Sequence, residues 1–114
     1  MESFGHKLRE TRRLRGISQR ELADKVGVDF SYISKLENDR LPPPAADTIV
    51  KICEVLDVPS DELLAVTGKM PTDVKEMLST STAAQQFVRR ALEMNLSEDE
   101  WGTLTKRLRR LRGE

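Results

Sequence analysis

Apolar residues recur every three or four positions along most of this chain, and this spacing predicts α-helices. The most informative segment lies between residues 18 and 40, where two short helical stretches follow each other. Their buried faces are predicted to carry Leu22, Ala23, Val26, Ile33 and Leu36. Gly27 lies between the stretches and tolerates the positive φ at which a helix commonly ends. Two short helices joined by a three- or four-residue turn with Gly make a helix-turn-helix.

Capping residues place the starts of the two helices. Ser18 is a favourable N-cap, and Glu21 three residues later completes the pattern of a capping box. Asp29 is predicted to cap the second helix, which runs to about Asn38.

The outward face of the second helix is polar and carries small side chains. It is predicted to present Ser31, Ser34, Lys35 and Asn38. Small hydroxyls let a helix backbone come close to another surface, and the major groove of DNA admits an α-helix. This face is therefore a candidate for nucleic-acid contact.

Further helices precede and follow this pair. A first helix runs from about Ser3 to Gly16, and the fifth runs from Asp61 to about Val66. The fourth has an apolar stripe consisting of Ile49, Ile52, Cys53 and Leu56. We expect an all-α protein with a five-helix domain at residues 1–68 and a short helical C-terminal region at residues 69–114.

The C-terminal region is predicted to contain segments over Val74–Leu78 and Ala83–Met94, followed by a helix that Ser97 and Glu100 open with a capping box. That last helix carries an apolar stripe, consisting of Trp101, Leu104, Leu108 and Leu111. The stripe favours homodimerisation. The alternative is that it folds back on Phe87, Leu92 and Val74 of the same chain.

Charge and composition exclude several classes of function. The 114 residues carry no net charge, and residues 1–68 hold ten Lys and Arg against twelve Asp and Glu. DNA binding would therefore depend on where the charges lie. Cys53 is the only cysteine of the sequence and His6 is the only histidine, so we expect neither a Cys/His metal site nor a cofactor. The sequence has no cluster of titratable residues that would indicate an enzyme. It also has no apolar run long enough to indicate a membrane segment, so we expect a cytoplasmic protein.

Residues 4–66 resemble the lambda repressor/Cro/Xre family of five-helix DNA-binding domains. The matching positions are Phe4, Leu8, Arg12, Gly16–Gln19, Glu21–Ala23, Val26–Val28, Ile33–Asn38 and Leu56–Val58. The resemblance implies a transcriptional regulator, most often a repressor, that binds an inverted-repeat operator in double-stranded DNA as a homodimer. In some relatives the same fold is a protein-interaction or antitoxin-type adaptor module, and a protein effector or protease is a possible further partner.

The resemblance also implies roles for individual side chains. The positions that face base edges in similar repressors are Asp29, Phe30, Ser31, Ser34 and Lys35. Asp29 has a rival role as the helix cap. Backbone-phosphate contacts fall on Gln19, Tyr32, Asn38 and Arg40. Arg12 on the first helix is expected to form a partly buried ion pair with Glu37 at the end of the second helix of the motif.

Overall fold

The computed structural model describes residues 2–113, and within that range all regular structure is α-helical. The prediction of an all-α fold is confirmed. The helices are α1 (Phe4–Leu14), α2 (Gln19–Val26), α3 (Phe30–Glu37), α4 (Ala46–Leu56), α5 (Asp61–Thr67), α6 (Thr72–Thr80), α7 (Thr82–Met94) and α8 (Glu98–Arg110).

The helix-turn-helix forms at the predicted residues, but its caps are simpler than predicted. Ser18 Oγ accepts a hydrogen bond from the Glu21 amide at 3.1 Å, whereas the Glu21 carboxylate accepts from Lys25 Nζ at 3.2 Å. Only half of the predicted capping box is therefore present. Gly27 ends α2 in the left-handed region, at φ 88°. Asp29 occupies the N-cap position of α3 with extended backbone, but its side chain makes no capping bond.

The first compact unit, which extends to Lys75, is built around one apolar core. The core side chains come from α1–α5: Phe4, Leu8, Leu22, Ala23, Val26, Ile33, Leu36, Ala46, Ile49, Ile52, Cys53, Leu56, Leu63 and Leu64. Burial, with a smaller contribution from Asp61, raises the pKa of the Cys53 thiol to about 11. Cys53 is therefore protonated at neutral pH and packs as a small apolar residue, as predicted.

A close approach between α1 and α3 fixes the end of the motif. Gly5 lies against the carbonyl groups at the end of α3, and a Cβ at this position would come within 2.8 Å of the Glu37 carbonyl oxygen. Asp39, at φ 56°, accepts hydrogen bonds from Ser3 Oγ at 2.8 Å and from the Gly5 amide at 3.1 Å. The absence of a side chain at Gly5 thus lets α1 contact the backbone at the end of α3.

The chain after α5 remains attached to the first unit for several residues. Lys69 Nζ donates hydrogen bonds to the carbonyl oxygens of Pro43 and Pro44 at 3.0 and 2.8 Å. The Thr72 amide and hydroxyl both donate to the Asp47 carboxylate, and these bonds lower the pKa of Asp47. The proposed domain boundary after Gly68 stays a prediction.

The second unit begins at Glu76 and contains the end of α6 with α7 and α8. The predicted capping box is present, because Ser97 Oγ accepts from the Glu100 amide and the Glu100 carboxylate accepts from the Ser97 amide. Among the described residues of this unit, only Ala91 is buried. No helix within residues 2–113 is both long and apolar enough to cross a membrane.

Candidate DNA-binding surface

A buried ion pair joins α1 to the end of α3. Arg12 Nε donates to Glu37 Oε2 at 2.6 Å, and Arg12 Nη2 donates to Glu37 Oε1 at 2.8 Å. Arg12 is 8% exposed and Glu37 is 2% exposed. The third guanidinium nitrogen, Nη1, donates to the Ile17 carbonyl oxygen at 2.9 Å. The two side chains that the resemblance pairs therefore meet in a bidentate contact.

Two further side chains donate to the same carboxylate. Gln19 Nε2 lies 3.0 Å from Glu37 Oε1, and Arg9 Nε lies 3.4 Å from the same oxygen. Burial acts to raise the pKa of Glu37, but the hydrogen bonds from Arg12, Gln19 and Arg9 outweigh it and lower that pKa. The bond to Glu37 raises the pKa of Arg12 against the opposing effect of burial. Both groups are therefore charged at neutral pH.

Arg9 extends this network to the last residue of the motif. Its Nη2 atom donates to Asn38 Oδ1 at 2.7 Å and approaches the Glu37 carbonyl oxygen at 3.4 Å. Asn38 Nδ2 in turn donates to the Ser34 carbonyl oxygen at 2.8 Å. α1 and the start of α2 thus hold the C-terminal end of α3 through side chains, which fixes the direction of its outward face.

The sequence-based reasoning did not identify Arg9. A signal for it was available, because Arg9 precedes Arg12 by three residues and such residues share one helix face.

The outward face of α3 carries the predicted base-facing residues. Asp29, Phe30, Ser31 and Lys35 are exposed, and Ser34 is half-buried. These five side chains lie on the first two turns of α3 or immediately before it. Ser31 and Ser34 are small, which favours a close approach of the helix backbone to a second surface, whereas Phe30 and Lys35 extend further from the helix.

The predicted backbone contacts lie around this face. Asn38 and Arg40 are exposed at its C-terminal end. Tyr32 is half-buried and packs partly against the core, and Gln19 is half-buried through its bond to Glu37. Tyr32 belongs to α3, Asn38 caps its end, and Gln19 and Arg40 lie outside the helix. Three of the four side chains, those of Gln19, Tyr32 and Asn38, are already engaged in the fold.

An additional cation lies beside the start of α3. The Arg20 guanidinium carbon is 4.5 Å from the centre of the Phe30 ring, a distance typical of a cation–π contact. Both residues are exposed. The sequence-based reasoning missed Arg20, because helical periodicity places it on the solvent side of α2 and gives no sign of the approach to α3.

Three donors that can bind a cation lie close together at the N-terminal part of α1 and in the residues before it. One ligand atom from each of Glu2, His6 and Glu10 lies within 4.8 Å of the others, and all three residues are exposed. This group of oxygen and nitrogen donors was not predicted from the sequence. Such exposed groups are common at i, i+4 positions of helices, where they pair with one another.

Comparison with known proteins identifies the family. Residues 8–63 match the family model described as helix-turn-helix. The chain is 36% identical over 85 residues to RghRB of Bacillus subtilis strain 168, described as an uncharacterized HTH-type transcriptional regulator, and this match covers 75% of the chain and 61% of RghRB. It is 32% identical to the HTH-type transcriptional repressor RghR of the same strain, with 93% of the chain and 82% of RghR covered.

A solved structure supports the same assignment. The biofilm master regulator SinR, crystallised in complex with DNA, is 36% identical and superposes with a TM-score of 0.50 over 54% of this chain and 97% of the SinR chain in that structure. The chain therefore belongs to the helix-turn-helix family of HTH-type transcriptional regulators.

Proposed function

We propose that this protein is a sequence-specific DNA-binding repressor that inserts α3 into the major groove. The observation that carries the proposal is the buried contact of Arg12 with Glu37, which fixes an exposed polar helix face at one orientation. A rigidly held helix reads base edges with less loss of side-chain and backbone entropy than a mobile one. The repressor RghR and the DNA-bound regulator SinR are relatives of this chain, and the functions that their names state favour the same role.

Base recognition is assigned to the start and middle of α3. Lys35 can donate to O6 and N7 of a guanine, and Phe30 can pack on a thymine methyl group. Ser31 and Ser34 can donate to or accept from base edges, since a hydroxyl does both. Asp29 is exposed and makes no capping bond, which leaves its carboxylate able to accept from a cytosine amino group.

Backbone contacts are assigned to Gln19, Tyr32, Asn38 and Arg40. A side-chain amide has two N–H donors. Gln19 and Asn38 each use one of them within the fold, and the second can donate to a phosphate oxygen. Such contacts position the protein on DNA without reading its sequence.

We further propose that the protein acts as a homodimer, with residues 1–68 as the DNA-binding domain and residues 69–114 as the dimerisation region. The exposed side chains of α8 and its end support this, because Trp101, Leu108 and Leu111 are 39%, 65% and 79% exposed. Leu104 is half-buried, and the area of the four side chains that is still exposed amounts to about two full side chains. Burying it could contribute roughly 3–6 kcal/mol before ordering costs. A dimer would bind an inverted repeat with half-sites about one helical turn, roughly 10 bp, apart.

The same proposal includes a cytoplasmic location, where DNA is accessible to a regulator of this kind, and the absence of catalysis.

The alternative function is a protein-interaction module built on the same fold. The two differ in one measurable property, because an interaction module has no DNA sequence preference.

Selection from a library of randomised DNA duplexes tests the proposal, because it assumes no particular operator sequence. We expect the protein to enrich an inverted repeat and to bind it with an affinity that falls steeply with salt, because phosphate contacts release counterions. Enrichment of no sequence over random DNA would refute the DNA-binding function.

A lysine variant then tests how α3 reads the enriched site. Lys35→Ala should cost about 1–3 kcal/mol of binding free energy and relax the preference at one base pair per half-site. Lys51→Ala is the matched control, because Lys51 is an exposed lysine on α4. The control should retain the affinity and base preference of the wild type.

A further inference from the structure

Arg20 and Phe30 connect the beginnings of the two helices of the motif. Arg20 is the second residue of α2, and Phe30 is the first residue of α3. The Arg20 guanidinium therefore lies at the N-terminal end of α3, where recognition helices contact base edges.

We propose that Arg20 reads a guanine in each half-site and that the Phe30 ring holds its guanidinium in position. The inference rests on the DNA-binding function proposed above and adds a specificity-determining residue to it. A guanidinium is planar, and one that lies over an aromatic ring can still donate from the N–H groups along its edge. That edge matches O6 and N7 of guanine, which accept two parallel hydrogen bonds from arginine.

The surroundings of Arg20 leave its donors available. Glu21, the next residue, accepts a hydrogen bond from Lys25. Within residues 2–113, Arg20 forms neither an ion pair nor a side-chain hydrogen bond, in contrast to Arg9 and Arg12. The contact with Phe30 is thus the interaction that orients this side chain. Orientation before binding lowers the entropy that a long side chain loses when it contacts a base.

Two substitutions separate base reading from a phosphate contact. Arg20→Lys keeps the positive charge but removes the planar pair of donors. Phe30→Leu keeps an apolar side chain but removes the aromatic face. We expect Arg20→Lys, Arg20→Ala and Phe30→Leu to reduce the preference for guanine at the same base pair of the selected site, by roughly 5- to 150-fold for Arg20→Ala. The double variant of Arg20→Ala with Phe30→Leu should lose no more of the guanine preference than Arg20→Ala alone, and any loss of the thymine contact of Phe30 should appear at a different base pair.

The measurement is selection from a randomised library, followed by binding titrations at several salt concentrations. Lys25→Ala is the matched control, because it removes a cation from the exposed surface of the same helix and should leave the selected sequence unchanged. Thermal melts followed by circular dichroism verify that each variant is folded.

Three results would overturn the inference. A uniform loss of affinity for all sequences with a salt slope reduced by about one, restored by Arg20→Lys, would identify a phosphate contact. An unchanged sequence profile in Arg20→Ala would show that Arg20 does not read DNA. If Phe30→Leu reduced the guanine preference at a different base pair from Arg20→Ala, Phe30 would not be the residue that positions Arg20. Failure of the wild type to select any sequence would instead refute the DNA-binding function itself.

Discussion

The guanidinium of Arg12 and the carboxylate of Glu37 form two hydrogen bonds, at 2.6 and 2.8 Å, across 25 positions of sequence. The pair ties the last turn of α1 to the last residue of α3 inside the first unit. A charge at a buried site is stable only when it is paired and hydrogen-bonded. Removing either side chain therefore leaves a destabilising charge behind, and this makes the pair testable.

A double-mutant cycle should show strong coupling between the two residues. Glu37→Met should lower the free energy of unfolding by up to about 3–5 kcal/mol, because Arg12 remains buried without a counterion. Arg12→Met should cost less, because Gln19 and Arg9 still donate to the Glu37 carboxylate. The double variant should cost clearly less than the sum of the two. Urea denaturation of the four proteins measures the coupling free energy.

The exposed pair of Glu21 and Lys25 provides the control for this cycle. It lies one helical turn apart on α2, with a separation of 3.2 Å. Its coupling free energy should not exceed about 0.5 kcal/mol, since water screens exposed pairs. If the single substitutions were additive at both pairs, so that neither coupling free energy differed from zero, the stabilising role of the buried pair would be contradicted.

Stability should fall in acid through Glu37. The pKa of Glu37 in the folded protein is below 4.5, its ordinary value, so the unfolded chain takes up this proton first. The stabilisation is fully present above about pH 4.5 and is lost as the pH falls through the lower pKa of the folded state. The difference in unfolding free energy between the wild type and Glu37→Gln should therefore shrink between pH 5 and pH 3. A constant difference over this range would contradict the prediction.

Gly5 should resist substitution because of its position between α1 and α3. In Gly5→Ala the new Cβ would meet the Leu36 carbonyl oxygen and would lie 2.6 Å from Asp39 Oδ1 and 2.8 Å from the Glu37 carbonyl oxygen. Backbone atoms cannot move aside without displacing α3, so we expect a loss of about 1–3 kcal/mol or more in the free energy of unfolding. Thermal and urea denaturation measure it.

Gly102→Ala is the matched substitution in an uncrowded helix. A Cβ at Gly102 in α8 meets no atom within 4 Å. Alanine should stabilise this helix by roughly 0.5–1 kcal/mol, because glycine loses more backbone entropy on folding. A similar effect of alanine at both glycines would refute the close approach of α1 to α3.

The helices and the core were predictable because they depend on local chemistry. The spacing of Ile33 and Leu36 fixes which side of α3 is buried, since the helical period is constant. Gly27 ends α2 as predicted, since this too depends on local chemistry: few residues other than glycine adopt a positive φ at low cost.

The details that fix the candidate site depend on the approach of distant segments. The pairing of Arg12 with Glu37 was expected only through the resemblance, since spacing along the chain does not relate α1 to α3. The roles of Gly5 and Asp39 depend on the separation of two helix axes, which the sequence pattern leaves open. Glu21 bonds to Lys25 and not to the amide of Ser18, a choice between two local partners that the residue types alone do not decide.

The last prediction concerns the apolar stripe of α8. If the protein is a homodimer through this stripe, Leu108→Glu should convert it to a monomer, because a carboxylate in an apolar interface lacks a partner. Leu108 is 65% exposed within one chain, so the substitution should leave the folded monomer intact. Lys106→Glu is the control, since a separation of two residues places Lys106 on another side of the helix.

Sedimentation at micromolar concentration and thermal melting distinguish a dimer interface from packing within one chain. An interface between chains predicts a dimeric wild type, a dimeric Lys106→Glu and a monomeric Leu108→Glu that still melts cooperatively. It also predicts that Leu108→Glu binds an inverted repeat far more weakly than the wild type, because one recognition helix contacts only one half-site. Packing of the stripe within one chain predicts a monomeric wild type, with Leu108→Glu less stable to heat and as able as the wild type to bind DNA. A monomeric wild type would therefore refute the assignment of Trp101, Leu104, Leu108 and Leu111 to a dimer interface.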